Sequence, residues 1–519
     1  MAYPYFSRAW LFALGILAAA SGHAEAAQLY TADGVEIRWD NTLRYSTALR
    51  LDPADAELLS YANGDDGDRN FAPGLASNRF DLLSELDVAM GDFGVHASAA
   101  AWYNTVYQTH TDNTSPATSN AASPVRQFAS AVRNLEGQHV ELADAFAYGN
   151  FTLAQMPISL RAGRQTLLGG ESRFFDANSI AAAMAPTDYL KTMTDQNGYS
   201  GNMFLPVTQV NLTLQPLSWL SVSLYDQFEW RASRQPADGS FLSYVDYVGA
   251  GAARLFLAPD RYLIHGSDRG PASGQYGVTL RGSVADMDLG LYAFRFRAKD
   301  PIAALASDPA LAGQTGAIGY YRLVYPSGIN LYGASFSTEL GGAILAGEFS
   351  ARQDMPLVGY DPRTPKITPT GSPYYARGDT LHTQISVVTE LAETSVWDRA
   401  DAAAEIATDH ILRVTSATAG AASFSRFALK ARARVEPHYF QVLPNLDLTA
   451  VAELGFNLAG HSFTYYAQNS GTGDFRIGIS GTYLSAWKAG LSYIGFLGAP
   501  SRQPLADRNF VMLSLERTF

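Results

Sequence analysis

The stretch that decides the fold runs from Val35 to Leu51 and reads VEIRWDNTLRYSTALRL. Successive side chains of a β-strand point to opposite faces. The odd-numbered side chains here are mostly apolar and include Trp39 and Tyr45. The even-numbered ones include three arginines and two carboxylates, which are Arg38, Arg44, Arg50, Glu36 and Asp40. Seventeen residues exceed the usual strand length of about five or six. A long strand with one apolar and one charged face is typical of a transmembrane barrel.

The same alternation recurs to the end of the chain. The predicted strands are 35–51, 78–90, 94–104, 139–153, 157–167, 207–215, 219–230, 275–285, 288–297, 329–338, 344–352, 380–391, 402–414, 424–436, 446–457, 473–484, 487–496 and 508–519. Short connections alternate with long ones rich in Gly, Pro, Ser, Thr, Asn and Asp. We therefore predict an all-β fold, a transmembrane antiparallel β-barrel of about 18 strands (range 14–18), with short periplasmic turns and long external loops.

The two ends of the chain indicate export and membrane insertion. Residues 1–26 read as a signal peptide, with Arg8 before an apolar run and small residues at the cleavage site. The remainder, 27–519, is predicted to be a single barrel domain in the Gram-negative outer membrane. An even strand number places both termini in the periplasm. The last residue, Phe519, follows alternating apolar positions and resembles the assembly signal of outer-membrane barrels, although Arg517 stands where an aromatic residue is often found.

Composition excludes several classes of function. The absence of cysteine among 519 residues excludes disulfides, thiolate metal sites and a cysteine nucleophile. The formal net charge of −12 argues against nucleic acid as a partner. No nucleotide-binding loop, HExxH motif or G-x-S-x-G elbow is found, so we predict neither catalysis nor a cofactor.

Charged residues on the predicted strands point into the lumen. The basic candidates for a lumen or selectivity site are Arg38, Arg44, Arg50, Lys430, Arg432 and Arg434. They could select anions or the carboxylate of an amphipathic solute. Alternatively they pair with acidic side chains of neighbouring strands and only hydrate the wall, which we favour.

A barrel of about 18 strands leaves a lumen that side chains of the wall alone do not fill. Ser179–Lys191, SIAAAMAPTDYLK, could fold inward as a plug or remain an external loop with one helical turn. Apolar residues of the 168–206 loop would give an apolar solute an entrance or contribute to the plug. These candidates are Phe174, Phe175, Met184, Tyr189 and Phe204.

Several blocks resemble the proteobacterial outer-membrane family known as domain of unknown function 1302. They are RAGRQTLLGGES (161–172), YDQFEW (225–230), YVGAG (247–251), LYGASF (331–336), GEFSAR (347–352) and PLADRNFV (504–511). Gly169 stands where the family usually has tryptophan. The resemblance implies an outer-membrane barrel that acts as a passive or partner-assisted route for hydrophobic or aromatic compounds, often alongside an envelope lipoprotein.

Within the first block, four polar residues could form one charge-assisted network at the external end of the fifth strand. They are Arg161, Arg164, Gln165 and Glu171. Such a network would either orient a solute or pin the 168–206 loop to the wall, and we favour the second role. The same two alternatives apply to Glu348 and Arg352, which share a strand face.

One acidic turn could bind a cation. Asp65, Asp66 and Asp68 in NGDDGDRN offer oxygen ligands suited to Ca²⁺. We favour a solvated acidic turn and predict no metal.

Three hypotheses for function follow. The first is an outer-membrane channel or transporter for small hydrophobic or amphipathic compounds, whether aromatic or lipid-like. The second is a general or anion-leaning porin. The third is a barrel scaffold that docks a periplasmic or outer-membrane lipoprotein or an exporter. The expected partners are outer-membrane lipids, a small-molecule solute and such a lipoprotein.

Overall fold

The computed structural model describes residues 27–32, 34–194, 203–268, 270, 274–311, 316–357, 363, 375–416, 425–463 and 468–519. The predicted signal peptide, 1–26, lies outside the described residues. Within those ranges no helix is both long enough and apolar enough to cross a membrane.

The described residues form 23 strands. In chain order they are β1 Ala27–Ala32, β2 Val35–Arg50, β3 Gly74–Met90, β4 Phe93–Asn104, β5 Gln138–Leu153, β6 Met156–Gln165, β7 Val207–Leu217, β8 Leu220–Gln227, β9 Arg254–Ala258, β10 Arg261–His265, β11 Gln275–Val284, β12 Met287–Phe296, β13 Ile302–Ser307, β14 Gly316–Val324, β15 Ile329–Leu340, β16 Ala343–Leu357, β17 Ala376–Leu391, β18 Arg399–Ser416, β19 Phe427–Leu443, β20 Leu446–Ala459, β21 Gly473–Tyr483, β22 Trp487–Leu497 and β23 Phe510–Thr518.

Helices are confined to the connections and are short. They are the α-helices Asp66–Asn70, Ser130–Val132 and Tyr189–Thr194, the 3₁₀ helices Leu58–Ser60, Val106–Gln108, Asp176–Asn178, Ile180–Ala183 and Pro309–Leu311, and one π-helical turn, Arg133–Gly137.

Eighteen strands close into one antiparallel barrel. The first barrel strand, β2, pairs with β3 along its whole length and with the last strand, β23, over Thr42–Arg50. Between them the strands follow chain order, with β8 beside β11 and β12 beside β15. All eighteen predicted strands are therefore confirmed, and the strand predicted at 424–436 continues to Leu443.

One end of the barrel carries the short turns. Several are two-residue hairpins in which both residues have positive φ, as in Ala154–Gln155 and Gly341–Gly342, and this geometry matches the twist of the flanking strands. Both ends of the described chain lie here. The strand β1, which was not predicted, pairs with the start of β2, and Asn41 exchanges backbone hydrogen bonds with Phe519 (2.8 and 2.9 Å).

The strand β18 shows how the wall separates its two faces. Ile406 and Leu412 are 54% and 50% exposed on the outside. Glu405 and Asp409 are 1% and 0% exposed because they point into a lumen filled by protein. Exposed apolar residues outside and buried polar residues inside are the pattern that a lipid-facing barrel requires.

The basic residue near the C-terminus is accommodated on the outer face. The Arg517 guanidinium lies 4.9 Å from the centre of the Trp487 ring on β22, its neighbour in the β22–β23 register. A cation over an indole face is attracted by the ring. Trp487 therefore supplies the aromatic surface that Arg517 itself lacks.

Two long connections contain a second sheet. The connections 231–274 and 298–328, predicted as loops, contribute β9, β10, β13 and β14, and these pair in the order β13-β14-β10-β9. The prediction of pure loops is wrong. These four strands form a sheet separate from the barrel, and their backbone groups are satisfied by pairing with one another.

A hydrophobic core lies inside the barrel rather than across its wall. Phe71, Phe128 and Phe241 come from three different long connections, and both other rings contact Phe71 in tilted or edge-to-face geometry with ring centres 5.6–5.7 Å apart. Phe510 of β23 contacts Phe241 at 5.6 Å from the wall side. The long connections thus fold inward and pack against the inner face.

Candidate functional site

The described part of the connection from β6 to β7, residues 166–194 and 203–206, enters the lumen and docks on the wall formed by β16–β18. Its first anchor is Glu348, which accepts hydrogen bonds from the backbone N–H groups of Glu171 (2.6 Å) and Ile180 (2.8 Å). Gly170 makes this approach possible because a Cβ at that position would collide with the Glu348 carboxylate. Glu348 is 4% exposed, so these bonds form away from water and fix the loop.

The second anchor is Arg352, four residues further along β16. Its guanidinium donates to the carbonyl oxygens of Asn178 (2.6 Å) and Ser179 (2.8 Å). The Asn178 side chain in turn lies 2.8 Å from His382 Nδ1 of β17. Arg352 therefore satisfies carbonyls that would otherwise be buried without donors.

The third anchor is Glu405 of β18, which the sequence analysis did not single out. Its carboxylate accepts hydrogen bonds from the backbone N–H groups of Arg173 and Phe174 and from the hydroxyl of Ser172. Three successive residues of the loop are thus held by one buried carboxylate, and Ser179–Lys191 lies inside the barrel rather than outside it.

Four glutamines form a ladder across the wall below this loop. Gln227 donates to Gln209 (3.1 Å), and Gln275 donates to Gln227 (2.8 Å). Gln165 and Gln209 each donate to the other's backbone carbonyl (3.3 and 2.8 Å). Gln227 also donates to the Met184 carbonyl (2.6 Å) and so joins the ladder to the loop.

The sequence analysis did not identify the four glutamines as a group, although two of them stand in blocks that carry the family resemblance. Gln165 ends the RAGRQ part of the first block and Gln227 is the glutamine of YDQFEW. A glutamine at the external end of several successive strands is a signal that sequence could have offered.

An aromatic cavity of about 300 Å³ lies between the inserted loop and the inner face of β19–β22. Phe174, Phe175 and Tyr189 of the loop line it together with Tyr244 of the β8–β9 connection and Phe496 of β22. Aromatic rings on both sides of a cavity suit an apolar or aromatic solute.

The five entrance or plug candidates are divided by the structure. Phe174, Phe175 and Tyr189 line the aromatic cavity. Met184 instead packs in a buried cluster with residues of β12 and β15, and Phe204 packs on Ala181 and Ala185.

A second cavity of about 450 Å³ lies beside the seam of the barrel and shares Tyr189 with the first. Its wall mixes both signs of charge, including Arg44, Arg79 and Asp81. Trp102 lies there under Arg79, whose guanidinium carbon is 4.7 Å from the ring centre. The two cavities together form a discontinuous space along the lumen.

The basic lumen candidates have acidic partners, as in the alternative that we favoured. Arg432 pairs with Glu453 and with Asp474 (2.6 Å), and Arg434 pairs with Glu436. These pairs neutralise the basic side of β19 and leave no unbalanced basic wall there.

The remaining basic candidates lie in different settings. Lys430 lies 4.0 Å from Asp409 and 5.1 Å from the centre of the Phe175 ring. Arg38 pairs with Asp40 (2.6 Å) in a partly exposed position. Arg44 is flanked in register by acidic residues, Asp81 and Glu516.

The predicted network of Arg161, Arg164, Gln165 and Glu171 is not formed. Arg161 lies over the Phe146 ring (5.6 Å), and Arg164 pairs with Glu229 (3.2 Å). Gln165 belongs to the ladder, and Glu171 is carried to β16 by its backbone bond to Glu348. The prediction is wrong because these residues bond to groups outside the set, Arg164 to Glu229 after β8 and Glu171 to Glu348 of β16.

Buried ion pairs fasten the end of the seam that lies away from the two-residue turns. Arg50 pairs with Asp68 (3.0 Å) and Asp507 (3.1 Å), and Arg508 also contacts both carboxylates. Burial, together with repulsion from the nearby Asp68 carboxylate, raises the pKa of Asp507 to about 6. Asp507 and Arg508 belong to the PLADRNFV block, so this part of the resemblance has a structural explanation.

The acidic turn is buried, so the solvated turn that the sequence analysis favoured is wrong. Asp65, Asp66 and Asp68 are 0–2% exposed because the β8–β9 connection covers them. Asp65 pairs with Arg69 (2.5 Å), yet burial raises its pKa to about 7. Asp66 instead approaches Asp238 and Asp246, two residues that the sequence analysis did not identify.

The fold and the filled lumen define a transmembrane antiparallel β-barrel of 18 strands whose long connections fold into its interior. The family model described as "Protein of unknown function (DUF1302)" matches residues 7–519, and the chain belongs to this family. A search among curated proteins finds no match.

Solved structures that are similar to this chain are bacterial barrels. OccAB4 of Acinetobacter baumannii gives a TM-score of 0.45 at 10% identity, covering 93% of this chain and 98% of that chain. OccK8 (OprE) of Pseudomonas aeruginosa gives 0.42 at 10% identity, covering 93% and 98%. The outer membrane channel DcaP of Acinetobacter baumannii gives 0.38 at 11% identity, covering 95% and 100%.

Proposed function

We propose that this protein is an outer-membrane channel for small hydrophobic or amphipathic compounds. The observation that carries the proposal is the aromatic cavity between Phe174, Phe175 and Tyr189 of the inserted loop and the wall opposite. A solute with an aromatic or aliphatic body can replace water there at a gain of about 25 cal/mol per Å² of buried apolar surface.

The charges around this cavity support an amphipathic solute. Arg432 also lines the space and pairs with two carboxylates, Glu453 and Asp474. These groups offer hydrogen-bond donors and acceptors to a polar head group. They leave no excess of positive charge, which supports the channel over the anion-leaning porin.

The placement in the envelope follows the usual orientation of bacterial barrels. Short turns face the periplasm and long loops face outward in such barrels. We infer that the end holding Asn41, Phe519 and the two-residue turns is periplasmic. The external loops and their second sheet then cover the outer mouth.

Equilibrium dialysis of the detergent-purified barrel against a naphthalene carboxylate tests the proposal. Phe175→Ala removes one wall of the cavity and is expected to weaken binding about tenfold, which corresponds to about 1.4 kcal/mol. Phe349→Ala is the matched control because Phe349 lies on the outer face and is 53% exposed. Its binding is expected to equal that of the wild type.

Equal loss in both variants, or no saturable binding by the wild type, would contradict the proposal. An absence of binding together with large steady ion currents in planar bilayers would favour the porin. An inert barrel that retains an envelope lipoprotein through purification would favour the scaffold.

A further inference from the structure

Three carboxylates from two external connections converge at the outer end of the plug. Asp66 belongs to the β2–β3 connection, and Asp238 and Asp246 belong to the β8–β9 connection. One oxygen of each lies within 4.8 Å of the others. All three side chains are buried, with exposed fractions of 0–2%.

The other charges of this region are already matched. Asp65 pairs with Arg69, and the two carboxylates at the seam are shared between Arg50 and Arg508. Among the residues that the structure describes, none of the three converging carboxylates forms a salt bridge with Lys, Arg or His. Buried charges in proteins are paired or bind metals, so three acidic groups remain to be balanced.

Hydrogen bonds satisfy two of the three converging carboxylates. Asp66 accepts from the backbone N–H of Asn120 (2.8 Å), and Asp246 accepts from the backbone N–H of Asp66 (2.8 Å). Asp246 also accepts from the Ser243 hydroxyl (2.9 Å).

Asp238 differs from both. Neither of its oxygens has a hydrogen-bond partner in the described part of the chain, although the residue is 2% exposed. The side-chain oxygen of Asn120 is likewise buried without a partner. Buried polar atoms of native proteins are nearly always satisfied, so unpartnered oxygens beside two other carboxylates indicate a ligand that accepts oxygen lone pairs.

We propose that Asp66, Asp238 and Asp246 bind a calcium ion that ties the β2–β3 connection to the β8–β9 connection. The donors are all oxygens, which calcium and magnesium prefer and zinc does not. Calcium accepts six to eight oxygens in irregular arrangements, whereas magnesium requires near-octahedral geometry and retains water. A buried carboxylate group with a spare amide oxygen nearby fits calcium better.

The titration behaviour of the carboxylates is consistent with this site. Burial raises the pKa of Asp238 well above its ordinary value, and repulsion from Asp66 and Asp246 adds to the effect. A divalent cation would remove the repulsion and favour the ionised forms. The alternative is that the carboxylates hold protons and bind no metal.

Isothermal titration of the EDTA-stripped full chain in detergent with CaCl₂, paired with thermal unfolding, tests the site. The wild type is expected to bind one calcium ion saturably, with a higher melting temperature in calcium. MgCl₂ is expected to bind about tenfold more weakly or less. Asp238→Asn is expected to lose the calcium-dependent shift, while Asp300→Asn, which alters a carboxylate bonded to Gln235 (3.2 Å), is expected to keep it.

No saturable calcium binding and no shift in the wild type would overturn the proposal and favour protonated carboxyls. A full calcium effect in Asp238→Asn would also overturn it, since the ion would then bind elsewhere. If Asp238→Asn does not fold, Asp246→Asn provides the same comparison, and the wild-type titration still decides whether calcium binds.

Discussion

Glu348 and Arg352, four residues apart on β16, hold one loop, the first by backbone N–H groups and the second by backbone carbonyl groups. The carboxylate of Glu348 accepts from the N–H of Ile180 (2.8 Å), while the guanidinium of Arg352 donates to the carbonyl of Ser179 (2.8 Å). Adjacent residues of the loop are therefore held by opposite charges on one strand face. This arrangement explains how a charged lumen wall retains a largely apolar plug.

Arg352→Met is expected to loosen the plug. Hydrogen bonds to charged groups contribute about 1.5–3 kcal/mol each, so losing the bonds to Asn178 and Ser179 favours the undocked loop by at least about tenfold. Planar-bilayer recordings should show more frequent or larger openings than the wild type.

Arg413→Met serves as the control for that variant, because Arg413 is 71% exposed and pairs with Asp379 at the barrel surface. Recordings in which both variants match the wild type would show that Arg352 does not hold the plug closed.

Gln227→Met is expected to destabilise the barrel by about 1–3 kcal/mol, because it leaves buried partners of the ladder unsatisfied. The Met184 carbonyl loses its donor and Gln275 loses its acceptor. Thermal unfolding, followed by the gel shift between folded and unfolded barrel, measures the change. The exposed Gln215→Met should unfold as the wild type does, and equal melting of all three proteins would refute the ladder's contribution.

Arg508→Met is expected to cost about 3–5 kcal/mol, because it leaves carboxylates buried at the seam with too few positive partners. Arg508 is 0% exposed and pairs with Asp68. Exposed pairs contribute only about 0–1 kcal/mol, so Arg413→Met should change stability little. Urea unfolding of both variants checks the contrast, and similar midpoints would contradict it.

Lys299 makes stability depend on pH. Burial lowers its pKa from 10.5 to about 7, so the folded protein binds fewer protons than the unfolded chain between about pH 7 and 10.5. Its contribution to stability therefore rises as pH increases through that window. Lys299→Met removes the ionisable group, and its melting temperature should rise less than that of the wild type from about pH 7 to pH 9. Parallel pH profiles would show that Lys299 is not the cause.

The barrel wall could be predicted from sequence because its signal is local. Alternation along Val35–Leu51 fixes which side chains face lipid, and register with the next strand follows from the tight turns. Even the stretch 402–414, rich in alanine, forms the strand Arg399–Ser416. A strand with few large apolar residues still forms here because the strands on both sides of it, β17 and β19, supply backbone hydrogen bonds.

The interior could not be predicted in the same way because its contacts join distant parts of the chain. Asp66 and Asp246 are 180 residues apart, and Glu405 holds residues more than 230 positions earlier. No local pattern marks such partners. Sequence did identify Glu348 and Arg352 as a pair on one face, since their spacing on a strand is sufficient for that inference, but not the loop backbone that they hold.

Solute flux into proteoliposomes tests the central claim most directly. Wild-type protein should accelerate the entry of a naphthalene carboxylate over protein-free vesicles, and it should leave a sugar of similar size excluded. Equal acceleration of both solutes would indicate an open porin, and acceleration of neither would contradict a channel for hydrophobic or amphipathic compounds.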